Sequence, residues 1–196
     1  MRFVDAALEP IVRMSATRAN SRASLMVDAA TAIVLIGVGL RQANFRATPA
    51  LLTVASGLLL FSLIEYCFHR WLFHGWEQVM EQTHSKHHQD PLGDITLPFF
   101  LPPMILLLLA GIFDLAMPAG YALLMAGAIG FGYAIYGLSH FAMHIRRFRH
   151  PLTRRWAAHH HIHHHHPDKN FGVTSPLWDI VLGTRYVSKS AGGRGF

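Results

Sequence analysis

Imidazole is the most abundant reactive group in this chain, with 15 histidines against 11 acidic residues. Most of the histidines fall into four groups. In chain order these are His69 and His74 in HRWLFH, His84, His87 and His88 in HSKHH, His140 and His144 in HFAMH, and the run HHHIHHHH at 159–166. Within that run, His160, His163 and His164 repeat the H-x-x-HH spacing of the second group. Spacings of three and four return a helical side chain to nearly the same face, so His84/His87/His88, His140/His144 and the last triplet can each converge on a point. The first pair, five apart, stands about 140° round an ideal helix. It can feed two ions, or a distorted turn can bring both rings together. Ten imidazoles exceed the roughly four to six ligands of one ion and suit two ions sharing a cage. Imidazole serves zinc, iron, copper and nickel alike, so ligand type does not choose the metal. The single cysteine, Cys67, excludes an internal disulfide and a thiolate-rich zinc or iron–sulfur site.

Not every histidine belongs to this set. A lone pair such as His140/His144 is more often an interfacial or core pair, and the metal reading rests on four groups gathered on one side. His150 matches no spacing and precedes Pro151, which suits a surface residue. His159, His161, His165 and His166 are either outer partners of the ligands or solvated bystanders. A purification tag would not be followed by FGVTSPLWD, nor preceded by three other histidine groups.

The elements that must position these groups are membrane helices. The chain is 52% hydrophobic and 14% charged, with a positive mean hydropathy, and its apolar residues come in long runs. Four spans are expected: Leu25–Leu40, Pro49–Phe68, Leu97–Met117 and Gly120–Ser139. Asp28 lies near one end of the first, where a carboxylate can reach the headgroups. Pro102 and Pro103 are expected to kink the third near its start. Residues 1–24 read as an interfacial segment, with Phe3, Val4, Ala7, Leu8, Ile11 and Val12 at helical spacing and Pro10 starting or bending the helix. Residues 25–189 form the membrane domain, and 190–196 a disordered tail. The fold class is all-α: about four transmembrane helices with a histidine-rich helical cap that holds a di-metal site.

Four spans put all four histidine groups and the C-terminus on one side, and an odd number would split them. Every Lys and Arg except Arg41 and Arg46 falls on that side, which the positive-inside rule makes cytoplasmic. A bacterial inner membrane is the expected location. The net charge of +6 raises nucleic acid as a partner, but no nucleic-acid motif accompanies it, and the arginines sit at the ends of apolar runs where they meet headgroups.

The motifs HRWLFH, HSKHHQDP (84–91), FFLPP before the third span, HFAMH, the last H-x-x-HH and FGVTSPLWDIVLGT (171–184) together cover residues 65–184. In their order and content they resemble the fatty acid hydroxylase / sterol desaturase superfamily of integral membrane di-metal oxygenases. That resemblance implies that His69, His74, His84, His87, His88, His140, His144, His160, His163 and His164 bind two metals. The spacing from the last HH to Phe171 is about one residue tighter than usual in the superfamily, so His161, His164 and His165 form the alternative register. The resemblance further implies two iron ions for activity, with zinc the alternative in a purified form, and dioxygen as co-substrate. The partners it implies are a lipid substrate, the bilayer and a separate ferredoxin- or cytochrome b5-like electron donor with its reductase. The HPGG haem motif fused to some relatives is absent from the sequence. The expected reaction is hydroxylation of a lipid, a fatty acyl chain foremost. The alternatives are a lipid or sterol desaturase or oxidase using the same cage, and a non-catalytic metal-binding membrane protein. Against metal transport, the spans carry almost no ionisable residues. Beyond the metal ligands the sequence does not identify a catalytic residue. Trp71, Phe73, Phe141 and Trp178 are either walls of an acyl entry or interfacial anchors. Asp179 and Glu65 each either accept from a ligand imidazole or play a local structural part.

Overall fold

A computed structural model of the chain describes residues 3–43, 46–75, 78–93 and 96–188. The expected tail at 190–196 lies outside the described residues. Among the described residues there is no β-strand, and the elements are α1 (Phe3–Ser15), α2 (Arg18–Gln42), α3 (Ala47–Cys67), a π-helical turn (Phe68–Phe73), α4 (Gln78–Gln89), α5 (Leu101–Asp114), α6 (Ala119–Ile145), α7 (Pro151–His165) and α8 (Leu177–Val181). They fall into two compact units: Met1–Phe61 with Asp90–Leu138, and Ser62–Gln89 with Ser139–Phe196.

Among the described residues, three helical stretches are long and apolar enough to cross a membrane: Arg18–Gln42, Ala47–Phe73 and Ala119–Ile145. The third expected span is shorter than its hydropathy suggests. Only 14 residues, Leu101–Asp114, are helical, and at about 1.5 Å per residue they reach about 21 Å, less than the hydrocarbon thickness. Pro102 and Pro103 do not kink this helix; they occupy its first turn, where an amide donor is dispensable and a fixed φ favours initiation. The first span departs from expectation at its start. Thr17 caps α2, accepting from the amide of Asn20, so the helix begins well before the apolar run at Leu25. That places Asp28 in the third turn, 3% exposed, where one carboxylate oxygen accepts from Ser24 Oγ at 3.0 Å. It faces packed side chains instead of headgroups.

The first unit is knitted by small residues that let helices approach closely, as expected where lipid supplies no hydrophobic drive between helices. A Cβ on Gly127 would sit 2.8 Å from Ile36 of α2, and one on Gly132 would sit 2.5 Å from Phe61 of α3. Leu35, Phe61, Leu106, Ala110, Ala126 and Ile129 form its buried apolar core. Asn20 ties the approach to α5 onto α2: its amide donates to Thr96 Oγ1 and Leu97 O, and its carbonyl accepts from Phe99 N.

The second unit contains all the histidine groups. Its helices are short, and their packing is directed by polar contacts to the segment 169–174, described next.

Candidate metal centre

Four elements of the second unit deliver ten imidazoles. The pair His69/His74 comes from the π-helical turn Phe68–Phe73, whose His69 is 2% exposed. An i→i+5 winding widens the turn, so residues five apart share a face that an α-helix would deny them. The two rings are accordingly 5.2 Å apart; the distorted turn brings both together. The triplets on α4 and α7 divide in opposite senses. His84 and His88, one turn apart, join His69, His74 and His163 in one group. His160 and His164, likewise one turn apart, join His87, His140 and His144 in the other. Each group offers five ring nitrogens that all lie within 4.8 Å of one another. The groups adjoin, with His88 stacked on His164 at 4.4 Å. His161 and His165 are exposed and stand outside both groups, so the register that gathers is His160, His163 and His164.

Hydrogen bonds on the far side of two rings decide which nitrogen faces inward. A carbonyl oxygen can only accept, so His69 must donate through Nδ1 to Phe171 O at 2.5 Å, and His163 through Nδ1 to Lys169 O at 2.8 Å. A neutral imidazole that donates at Nδ1 presents a lone pair at Nε2. The Nε2 lone pairs of His69 and His163 face Nε2 of His84 and of His74, each 3.0 Å away, and the Nε2 atoms of His88 and His84 and of His160 and His144 are likewise 3.0 Å apart. Two ligands at right angles around an ion with metal–nitrogen distances of about 2.1 Å would be separated by about 3.0 Å. His87 Nε2 is buried with no hydrogen-bond partner, which is costly unless another electrophile takes its lone pair. The donor set therefore fits two metal ions.

Burial also keeps these rings uncharged. Desolvation, reinforced by His88, lowers His74 to about 4. Desolvation with His144 and His88 lowers His87 to about 4, and desolvation outweighs the bond to Lys169 to bring His163 to about 3. His84 and His160 are pushed far below the ordinary histidine value, first by burial and then by neighbouring imidazoles. At neutral pH the nitrogens are free to bind a cation.

Two buried carboxylates hold the segment that supplies the carbonyls. Asp179, 0% exposed, accepts from Phe171 N and Gly172 N at 2.8 Å, from Thr184 Oγ1 at 2.7 Å and from His159 Nε2 at 3.1 Å. Burial alone would raise its pKa, but these bonds together hold it below the usual carboxylate value. Glu65 accepts from Val173 N, Thr174 N and Thr174 Oγ1. Among the described residues neither carboxylate hydrogen-bonds to one of the ten imidazoles, although the charge of Asp179 acts on His163. Both act one step further out, fixing the backbone that fixes His69. Arg70 donates to Tyr66 OH, which donates on to Thr184, which donates to Asp179. Asn170 adopts φ 57°, a left-handed conformation that asparagine tolerates, and its side chain bonds His159 O and Tyr186 N. Gly172 admits no side chain: a Cβ there would lie 2.1 Å from Ser175 O.

The remaining histidines and aromatics have local roles. His150 caps α7 through Leu152 N, and His166 stacks on Tyr186. Phe73 stacks on His84 at 5.1 Å and the Trp178 indole donates to Ser62, whereas Trp71 and Phe141 are exposed.

Membrane-length helices and two all-imidazole groups of five define an integral membrane protein with histidine clusters able to hold metal. The chain belongs to the fatty acid hydroxylase family, whose model matches residues 54–184. It is 34% identical to the dihydroceramide fatty acyl 2-hydroxylase FAH2 of Arabidopsis thaliana over 71% of this chain and 63% of that protein. It is 31% identical to the ceramide very long chain fatty acid hydroxylase SCS7 of Saccharomyces cerevisiae, covering 78% of this chain and 42% of that one. The chain thus spans less than two thirds of the length of either relative. Its fold matches the hydroxylase domain visible in a structure of full-length scs7p, with TM-score 0.74 and 26% identity over 92% of this chain and 70% of that one.

Proposed function

We propose that the protein hydroxylates a fatty acyl chain with dioxygen, the ten gathered imidazoles holding two iron ions. The observation that carries this reading is the pair of five-nitrogen groups in a chain of the fatty acid hydroxylase family. The names of the relatives favour the carbon next to the acyl carbonyl, and favour hydroxylation over desaturation. The balance is RH + O₂ + 2 e⁻ + 2 H⁺ → ROH + H₂O. Iron bound here would supply the redox chemistry that breaks an unactivated C–H bond, which side-chain acids and bases cannot. Zinc would fill the same imidazoles without that capacity.

The chain's own residues prepare the site. His69 and His163 are held in one tautomer by Phe171 O and Lys169 O, and Asp179 and Glu65 hold the backbone bearing the first of those carbonyls. Exposed Trp71 and Phe141 suit the bilayer side, where an acyl chain arrives. A cytoplasmic histidine side is supported by the distribution of Lys and Arg, only Arg41 and Arg46 lying opposite when α5 with its flanking residues completes a fourth crossing, and α1, ahead of the membrane-length α2, lies on the membrane surface. A separate one-electron carrier, ferredoxin-like or cytochrome b5-like, supplies the electrons.

The test is mass spectrometry of lipids from cells expressing the wild type beside the His163→Ala/His164→Ala variant, with substrate and donor co-supplied. Acyl species that gain one oxygen only with the wild type support the proposal. A loss of two hydrogens would mean the same site desaturates. An unchanged lipid profile from a chain retaining two metals would leave metal binding without catalysis.

A further inference from the structure

Helix α7 has two chemically opposed faces. Ala157, His160 and His163 are buried, whereas Arg154, Ala158, His161 and His165, three or four residues apart, are exposed. Arg146 and Arg147, immediately after α6, join Arg154 and Arg155 in lining an open groove of ≈ 700 Å³ that also includes His161. Among the described residues none of these four guanidinium groups has a carboxylate partner. The groove is thus a concentration of uncompensated positive charge.

His161 connects this surface to the metal-holding residues. Its ring is 5.8 Å from His144 and 6.3 Å from His160, both members of the second five-imidazole group. One exposed imidazole therefore separates the groove from that group. A site for phospholipid headgroups would need the arginines alone. An exposed ring packed on the ligand set is what a redox partner requires, because electron transfer between proteins weakens steeply with distance.

Resting on the hydroxylase reading, we propose that this groove is the docking surface for a small acidic one-electron carrier, an iron–sulfur or haem protein. Arg146, Arg147, Arg154 and Arg155 pair with its surface carboxylates, and His161 lies between its cofactor and the second histidine group. Each docking event passes one electron from the reduced carrier, which leaves oxidised by one electron. Two events supply the two electrons that one hydroxylation consumes. Interfaces of this kind are small and polar, and their association rates depend on charge and fall with salt.

The test uses the full metal-loaded chain in phosphatidylcholine nanodiscs, with a plant-type ferredoxin and the soluble haem domain of cytochrome b5 as probes. At least one probe should bind. Arg154→Glu/Arg155→Glu should raise its Kd at least about tenfold, and Arg146→Gln/Arg147→Gln should weaken it in the same direction, both with unchanged metal content. Oxidation of the pre-reduced carrier should slow in parallel, while reduction of the same variants by dithionite should not. Binding of neither probe, or equal binding by wild type and variants, overturns the proposal. So does loss of wild-type binding when phosphatidylserine replaces part of the phosphatidylcholine, which would make the groove a headgroup site. Binding and carrier oxidation are read without any lipid product, so a missing hydroxylated lipid would sink the catalytic reading and leave this one standing.

Discussion

At the scale of single residues, the site depends on hydrogen bonds made behind the imidazoles. Phe171 O and Lys169 O each force a ring to donate outward and so to offer a lone pair inward. Asp179 supports the first of these by gripping Phe171 N and Gly172 N. Replacing it with asparagine keeps the size but loses the charge and one acceptor, so Phe171 should shift and His69 lose its orientation. Asp179→Asn is expected to reduce metal affinity by about 10–100-fold, as read by chelator competition; unchanged affinity would mean the staple has no influence on the imidazoles. Eight of the ten gathered histidines were legible in the sequence because spacings of three and four state which rings share a face, whereas His69 and His74, five apart, were not. The carbonyls were not, since a backbone acceptor leaves no trace in residue type. The sequence left Asp179 and Glu65 either as acceptors from a ligand imidazole or as local structural groups, and only the fold shows that they bind the amides of 171–174.

At the scale of elements, two distortions position the site, and neither follows from propensity. The π-helical turn at Phe68–Phe73 reconciles a five-residue spacing with a single group. The sequence left that pair with two outcomes because an ideal helix was the only ruler available. The second distortion is the tight path at Gly172. Gly172→Ala must push against a carbonyl 2.1 Å from the new Cβ, and overpacking of this kind costs about 1–3 kcal/mol. A lowered melting temperature with partial loss of metal is expected; a wild-type melt would show that the segment has room. Helix α5 shows the converse limit of reading a sequence. Hydropathy continues through Leu97–Met117, but backbone chemistry at Pro102 and Pro103 starts the helix late, and Asp114 is its last residue.

At the scale of the whole molecule, charge is segregated. Among the described residues, the groups of five contain no carboxylate, so the metal-free cage is stable only while its imidazoles are neutral. His74 and His87, each lowered from 6.5 to about 4, and His163, lowered to about 3, take up protons more readily when unfolded. Between the unfolded and folded values the unfolded chain therefore binds more protons, and protons favour unfolding. Stability should be full above about pH 6.5, fall as pH drops from 6.5 towards 4, and change little from these groups below about 3. The melting temperature of the metal-free chain in detergent, followed from pH 7 to pH 4, checks this; a flat profile would contradict it. The membrane character and helical class were plain from composition and apolar runs, whereas the separation into two compact units has no counterpart in hydropathy.

The most direct measurement of the central claim is reaction of the iron-loaded chain, in lipid with substrate and a reduced carrier, under isotopically heavy dioxygen in ordinary water. One heavy oxygen atom should appear in the acyl hydroxyl group of the product with the wild type, and none with His163→Ala/His164→Ala. A hydroxyl oxygen taken from water, or equal labelling by the variant, would contradict the claim that these imidazoles hold the metals that hydroxylate the lipid.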